Sequence, residues 1–374
     1  MTKCNNSLKY IFCYSFRYFC RINIYPVMNL KERIETFSEL GKILRDSLTD
    51  KESKHYSSIL DLINTQHLKN QWFTPENVWM ALNSLAEELT FENLAKWTDS
   101  YPALESFRNP IKVGVIMAGN IPLVGFHDFL SVLITGNNLI AKTSSKDSDL
   151  IVFIGEILCK INPGFKDKIK FTGSTLSDFE AVIATGSDNS SRYFEYYFGK
   201  YPNIIRRNRN SIAIIEGNET NEELRNLGTD IFSYFGLGCR NVSKLFVPEG
   251  YNFSGMIANW ASFSKVINHD KYANNYDFSK AVYLVNKEIF TDTGYLLLKE
   301  NKGLSSPVAV LYYEYYKISG DVLQIKENSG EKIQCIVGRN YIPFGLAQFP
   351  HLWDYADEKD TIEFLLKKNI AGIL

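Results

Sequence analysis

From Lys112 onward, short apolar runs rich in Val and Ile alternate with apolar or amphipathic stretches of helix length, and this alternation limits the chain to few architectures. KVGVIMA is broken by Gly119-Asn120-Ile121-Pro122 and followed by GFHDFLSVLITG, a helix ending at Gly136. NNLIAKT is a second buried strand, SSKDSD a polar turn, and residues 149–161 a helix. IKFTG, AVIATG, NSIAIIEG, SKLFVPEG, KAVYLVN, PVAVLYYEYY and IQCIVG read as further strands, NEELRNLGTDIFSYFG as an amphipathic helix, and the stretch around Gly330 as a hairpin-like turn. Strands that are continuously apolar, with helices between them, predict a parallel sheet covered on both faces, the α/β class.

Upstream of this region the pattern is helical. Leu30, Ile34, Phe37, Leu40, Ile43 and Leu44 recur at helix spacing. Thr74-Pro75-Glu76 is a helix start, with Trp79, Leu82, Leu85, Ala86 and Leu89 expected on the buried face, and a short helix after Thr90 points Leu94 and Trp97 inward. Residues 1–27 differ: they are basic and aromatic, with Arg17 and Arg21 interrupting the apolar run. They fit neither a signal peptide nor a membrane span, and are expected to be an unstructured extension rather than a peripheral anchor. A net charge of −1 gives no global field for nucleic acid or an anionic membrane. The six cysteines form no C-x-x-C pair and no zinc spacing, so free thiols in the cytoplasm are expected.

Three segments could carry chemistry. Cys239 follows Gly236-Leu237-Gly238, where a sharp backbone bend can expose a thiol at a domain boundary, and Arg240 beside it is expected to favour the thiolate. Cys159, inside a helix, and Cys335, inside a strand, read as structural thiols. Asn120 can present its amide across the sheet end to an oxyanion, or simply close a tight turn. Thr185-Gly186-Ser187 follows a strand and opens a helix, offering backbone N–H groups to a pyrophosphate; an ordinary turn is the alternative, and Thr172-Gly173-Ser174 is similar. His127 and Asp128 suit proton transfer less well than a helix start. No G-x-S-x-G elbow of a serine hydrolase is present.

Taken in order, these segments resemble the aldehyde dehydrogenase superfamily and, within it, the long-chain acyl-CoA reductases of the LuxC type. The family's strand-Asn-x-Pro turn is matched by Gly119-Asn120-Ile121-Pro122 and its Lys-x-Ser-Glu segment by Lys142-Thr143-Ser144-Ser145. Its Thr-Gly-Ser turn is matched by Thr185-Gly186-Ser187 and its glycine-flanked cysteine by Gly238-Cys239. The tail IPFGLAQFPHLWDYADEKDTIEFLL resembles the reductase branch, and the likeness covers nearly everything from Met28. It implies an aldehyde dehydrogenase-like fold: N-terminal helices and a Rossmann-type cofactor domain over 28–208, a second α/β catalytic domain over 209–345, and a segment 346–374 that packs back on the core. It also implies Cys239 as nucleophile and Asn120 as oxyanion donor. Lys142, Ser144, Ser145, Gly186 and Ser187 become the cofactor contacts, with no metal. Ser187 is preferred to Ser174 because a strand and LSDFEAV separate the two turns, as the family order requires.

Departures from the family pattern refine the expectation. Hydrolytic relatives carry Glu-Leu-Gly-Gly where this chain has Arg206-Arg207-Asn208-Arg209, so the base that would hydrolyse an acyl-enzyme is missing. That basic run reads as a solvated face or structural ion pairs, with coenzyme A phosphates as the sharper alternative. Ser145 stands where NAD-preferring relatives have a glutamate, and between Lys142 and Lys146 it favours NADPH over NADH. No acid stands in LSSPV, just after Gly303, where the family glutamate that holds the nicotinamide ribose falls. The implied activity is reduction of a long-chain acyl-CoA to an aldehyde. A homo-oligomer and acyl-delivering enzymes are the candidate partners. An acyl phosphate reductase, or a catalytically silent scaffold of the same fold, are the alternatives.

Overall fold

The computed structural model describes residues 28–106, 109–317 and 330–371, so the extension over residues 1–27 and residues 327–329 of the turn before Gly330 lie outside it. Helix α1 (Leu30–Thr49) opens with a capping box, Asn29 accepting from Glu32 N while the Glu32 carboxylate accepts from Asn29 N. It buries Ile34, Phe37, Leu40 and Leu44, and at Gly41 it comes so close to Leu89 that a Cβ would lie 2.1 Å from the Leu89 carbonyl oxygen. Helices α2 (Tyr56–Thr65), α3 (Pro75–Glu88) and α4 (Phe91–Asp99) complete this layer, α3 starting at the Thr74 cap and Pro75. Leu94 and Trp97 point inward as expected. Trp79 does not: it is 44% exposed, because the buried stripe of α3 centres on Val78, Leu82 and Ala81 and leaves Trp79 at its edge.

A parallel sheet follows, built from β1 (Lys112–Ile116), β2 (Asn138–Lys142), β3 (Ile169–Thr172), β4 (Ala181–Thr185) and β5 (Asn203–Arg206) in the order β3-β2-β1-β4-β5. Its crossovers carry α5 (Phe126–Ile134), α6 (Asp149–Ile161) and α7 (Asp188–Phe198). β1 pairs β2 with Ile116 opposite Lys142, and β4 with Ile116 opposite Ala184. The chain therefore leaves β1 first to one side and later to the other, and the crevice at the carboxyl ends of β1 and β4 is the switch point where such sheets bind ligands.

The second sheet has the order β11-β6-β7-β10-β9-β8. It contains β6 (Asn210–Ile214), β7 (Val242–Pro248), β8 (Thr291–Asp292), β9 (Leu297–Glu300), β10 (Val310–Tyr316) and β11 (Ile333–Val337), parallel except for β8 on β9. Helices α8 (Asn221–Phe232), α9 (Ser254–Asn259) and α10 (Asp270–Val285) accompany it. KAVYLVN, expected as a strand, is instead the end of α10, followed by Asn286. The period that decides this is carried by Tyr272, Tyr276, Ser279 and Tyr283, which are buried at helical spacing, while Leu284 and Val285 face outward. The C-terminal helix α11 (Thr361–Ala371) returns to the first unit, where Ile362 and Leu365 join the core beneath α5. Among the described residues no helix is long and apolar enough to cross a membrane.

Candidate active site

At the switch point lies a cleft of about 620 Å³. Its walls are Ile116, Met117 and Ala118 after β1, Lys142 to Ser145 after β2, Gly173, then Thr185 and Gly186 after β4. Lys142, Ser144, Ser145 and Gly186 thus share one surface. Gly186 has no room for a side chain, since a Cβ would sit 2.8 Å from the Phe194 ring and 2.9 Å from Ser190 Cβ. Ser187 does not line the cleft. It is the N-cap of α7, its hydroxyl accepting from Ser190 N. The ammonium groups of Lys142 and Lys146 have no ion-pair or hydrogen-bond partner among the described residues.

The nucleophile candidate sits where the two sheets meet. After α8 the chain passes through three consecutive left-handed residues, Tyr234 (φ 51°), Phe235 (φ 58°) and Gly236 (φ 76°). For the two aromatic residues that conformation is strained by about 1–3 kcal/mol each. Asn241 holds the resulting loop: its Oδ1 accepts from Gly238 N at 2.8 Å and its Nδ2 donates to the carbonyls of Ser233 (2.8 Å) and Asp230 (3.1 Å). Ser211 on β6 donates to the Cys239 carbonyl at 2.9 Å. From the first sheet, Asn120 Nδ2 donates to the Leu237 carbonyl at 2.8 Å, so the turn after β1 is fastened to the Cys239 loop. That turn is also anchored from the cleft side, because the Asp147 carboxylate accepts from Leu123 N at 2.8 Å.

Cys239 lines a second cavity of about 210 Å³, between α3, the start of α5 and residues 348–356. Its surface is mainly apolar, with Leu85, Ile121, Leu123, Phe126, Leu130 and Leu352. Glu88 and His351, 3.0 Å apart, bridge two of its walls.

The electrostatics correct one expectation. Arg240 does favour the Cys239 thiolate, but burial outweighs it and pushes the thiol up to about 11. The guanidinium is also committed elsewhere, Nε donating to the Ala347 carbonyl at 2.7 Å. Alkylation of Cys239 in the ligand-free protein should therefore be slow near neutral pH and accelerate about tenfold per pH unit, without levelling off around the ordinary thiol pKa of ~8.5. Iodoacetamide kinetics across the alkaline range, read by intact mass, check this; a plateau below pH ~9 would contradict it.

His127 lines the same cavity and donates from Nε2 to the Leu352 carbonyl, 2.8 Å away; burial lowers its pKa, which favours a neutral ring. Asp128 takes the expected place in the first turn of α5 and pairs with buried Arg206. The rest of the basic run is structural as well, Arg207 with Glu195 and Arg209 with Asp357. Cys335 is buried and bonded to Ser211 Oγ, and Cys159 is half-buried on α6. Sequence reasoning passed over Asn241, Ser211, Asp147 and Gln348. Only Asn241 left a signal, as a polar residue in the first turn past a Gly-rich loop.

Solved structures similar to this one include aldehyde dehydrogenases. The NAD⁺ complex of aldehyde dehydrogenase from Bacillus cereus is 13% identical, with a TM-score of 0.57 over 83% of this chain and 72% of that one. Aldehyde dehydrogenase 21 from Physcomitrella patens, in complex with succinate, is 10% identical, with a TM-score of 0.56 over 91% of this chain and 89% of that one. The NAD-dependent aldehyde dehydrogenase from Sinorhizobium meliloti is 10% identical, with a TM-score of 0.58 over 85% and 71%. At such identities the likeness shows the fold. No curated protein matches the sequence. The family model for acyl-CoA reductase (LuxC) matches residues 44–254, more than half of the chain. With the aldehyde dehydrogenase fold around it, that match settles the family: the chain belongs to the LuxC family of acyl-CoA reductases, oxidoreductases acting on aldehyde and acyl groups.

Proposed function

We propose that this enzyme reduces a long-chain fatty acyl-CoA to the aldehyde with NADPH, through an acyl-enzyme on Cys239. The observation that carries the reading is the position of Cys239 on an apolar cavity, with the Asn120 turn fastened to its loop. In the division of labour we propose, residues 28–208 bind cofactor, 209–345 carry the nucleophile, and 346–374 pack back across both.

The switch-point cleft fits a dinucleotide. Its volume of about 620 Å³ suits a small-molecule site, Lys142 is unpaired in its wall, and Gly186 lets the backbone come close. Lys142, Ser144, Ser145 and Gly186 would hold the cofactor, with Ser187 ordering the helix start beside it. When bound, the nicotinamide supplies the hydride. Ser145, exposed between two unpaired lysines, favours a 2′-phosphate. Ser145→Glu should lower the NADPH-to-NADH ratio of kcat/KM about tenfold or more, as loss of a charge-assisted hydrogen bond implies. An unchanged ratio would remove the case for NADPH.

Cys239 attacks the thioester carbonyl carbon. Its C–S bond forms as the carbonyl π pair moves onto oxygen; return of that pair breaks the C–S bond to coenzyme A, whose sulfur ends with the thiol proton. One thioester replaces another, so the exchange is close to thermoneutral and uses no activated water. Asn120 Nδ2 spends one hydrogen on Leu237 and keeps the other for the oxyanion, beside Cys239 N; one such donor is worth ~3 kcal/mol of barrier. The cavity, about 210 Å³, is smaller than the ~300–1,000 Å³ usual for a pocket that encloses a drug-sized ligand. A long acyl chain therefore fills it and extends outward past the Glu88–His351 pair. The direct test is oxidation of NADPH with palmitoyl-CoA, followed together with aldehyde release. Absence of both with every activated acyl donor would end this reading.

A further inference from the structure

Gln348 is 7% exposed and lines the Cys239 cavity, yet its Nε2 has no hydrogen-bond partner among the described residues. A buried amide without a partner is uncommon in folded proteins and marks a place where something else supplies the acceptor. The main chain leading to Gln348 is held in place. Ala347 N donates to the buried Asp230 carboxylate at 2.9 Å, and the Ala347 carbonyl accepts from Arg240 Nε at 2.7 Å. Gly345 N is held by the same carboxylate at 2.6 Å. Gln348 is thus presented from a clamped segment, and its Oε1 lies 3.8 Å from where a Cβ on Gly238 would stand, next to the nucleophile's own loop.

Besides Gln348, the orphaned buried side-chain atom on the cavity wall among the described residues is Glu88 Oε2, an acceptor that cannot serve a carbonyl oxygen. Gln334 Oε1 accepts from Asp357 N, and His127 meets the Leu352 carbonyl. Asn120 Nδ2 gives one hydrogen to Leu237 and keeps one, but its side chain is exposed rather than enclosed. A fatty acyl chain brings only one acceptor into an apolar cavity, its carbonyl oxygen.

We infer that Gln348 is a further catalytic residue, whose amide donates to the carbonyl oxygen of the acyl group while it is transferred to Cys239. This rests on the acyl-enzyme reading above. As the Cys239 sulfur adds, the carbonyl π pair moves onto oxygen beside the Gln348 N–H. When the pair returns, coenzyme A thiolate is expelled and the acyl-enzyme carbonyl keeps the hydrogen bond. A donor waiting in a dry site needs no reorganisation at the moment charge develops.

The experiment uses the full chain with palmitoyl-CoA labelled at the carbonyl carbon, no reductant, and the variants Gln348→Met and Gln348→Ala. Acylation is timed by intact mass, and the labelled carbonyl stretch of the trapped acyl-enzyme is read by infrared difference spectroscopy. Both variants should acylate about 10²- to 10³-fold more slowly, and their acyl-enzyme carbonyl should absorb at higher wavenumber than wild type. Their melting temperatures should equal or exceed that of wild type, since the amide removed was unpaired. A structural role would instead lower the melting temperature and leave the carbonyl band in place. Wild-type rates and an unshifted band in either variant overturn the role of Gln348 while leaving Cys239 chemistry intact. Failure of the wild-type protein itself to acylate overturns both.

Discussion

Cys239→Ala is expected to lower kcat/KM with acyl-CoA by on the order of 10⁴-fold or more, and to abolish the acyl adduct seen by intact mass. The magnitude follows from what remains. Cys335 is buried and bonded to Ser211 Oγ, Cys159 lies on α6 outside the cavity, and no other cysteine among the described residues lines the cavity wall. An alanine leaves the Asn120 and Gln348 amides in place, but transition-state donors cannot replace the bond that carries the acyl group. Folding should be untouched, since Ser211 and Asn241 grip the loop through the Cys239 carbonyl and the Gly238 N–H rather than through sulfur. The melting temperature and the affinity for NADPH should therefore match wild type. If the variant still releases aldehyde at a comparable rate, reduction does not pass through Cys239.

The thiol's chemistry also changes how a silent scaffold would be told apart from an enzyme. The sequence placed Arg240 beside Cys239 and so suggested a reactive thiolate. Burial reverses the sign, and sluggish alkylation of the ligand-free protein is what the enzyme itself should show. Transfer of an acyl group, not reactivity toward a small alkylating agent, separates the two readings.

What could be read in advance was whatever has a local cause. The Thr74-Pro75 helix start, the helix over 149–161 and the strands that lead to the Asn120 and Gly186 turns follow from capping chemistry and from runs of Val and Ile, and the structure contains them. Lys142, Ser144, Ser145 and Gly186 come together because strand ends of a parallel sheet share an edge, which the alternation already implied. KAVYLVN misled because Leu284 and Val285 sit on the outward side of a helix whose inward period is carried by tyrosines. β5 was passed over because NIIR is short and runs straight into the basic stretch. Gln348 could not be found at all. Its isolation arises only when residues 345–348 are folded onto α8 by Asp230, over a hundred positions earlier in the chain.

The basic run itself yields the largest stability effect. Arg206 and Asp128 form an ion pair with side chains 5% and 7% exposed, and Arg206 also donates to Thr361 Oγ1 at 3.0 Å. The end of β5, the first turn of α5 and the start of α11 are thereby joined at one buried point. Arg206 Nε and Asp128 Oδ1 have no partner among the described residues, so the desolvation of both charges is only partly offset. Asp128→Asn leaves a guanidinium buried without its counter-charge, and should destabilise by about 3–5 kcal/mol. At an unfolding entropy of ~2.1 cal/mol/K per residue, that is a fall of about 5 °C in melting temperature for a chain of this size. Combining Asp128→Leu with Arg206→Met removes both charges and both orphaned atoms, and should restore most of the loss or exceed wild type. The thermal melts of single and double variants test this directly. If Asp128→Asn melts with wild type, the pair is not what binds the three elements together. If the double variant melts no higher than the single, the loss came from packing rather than from an isolated charge.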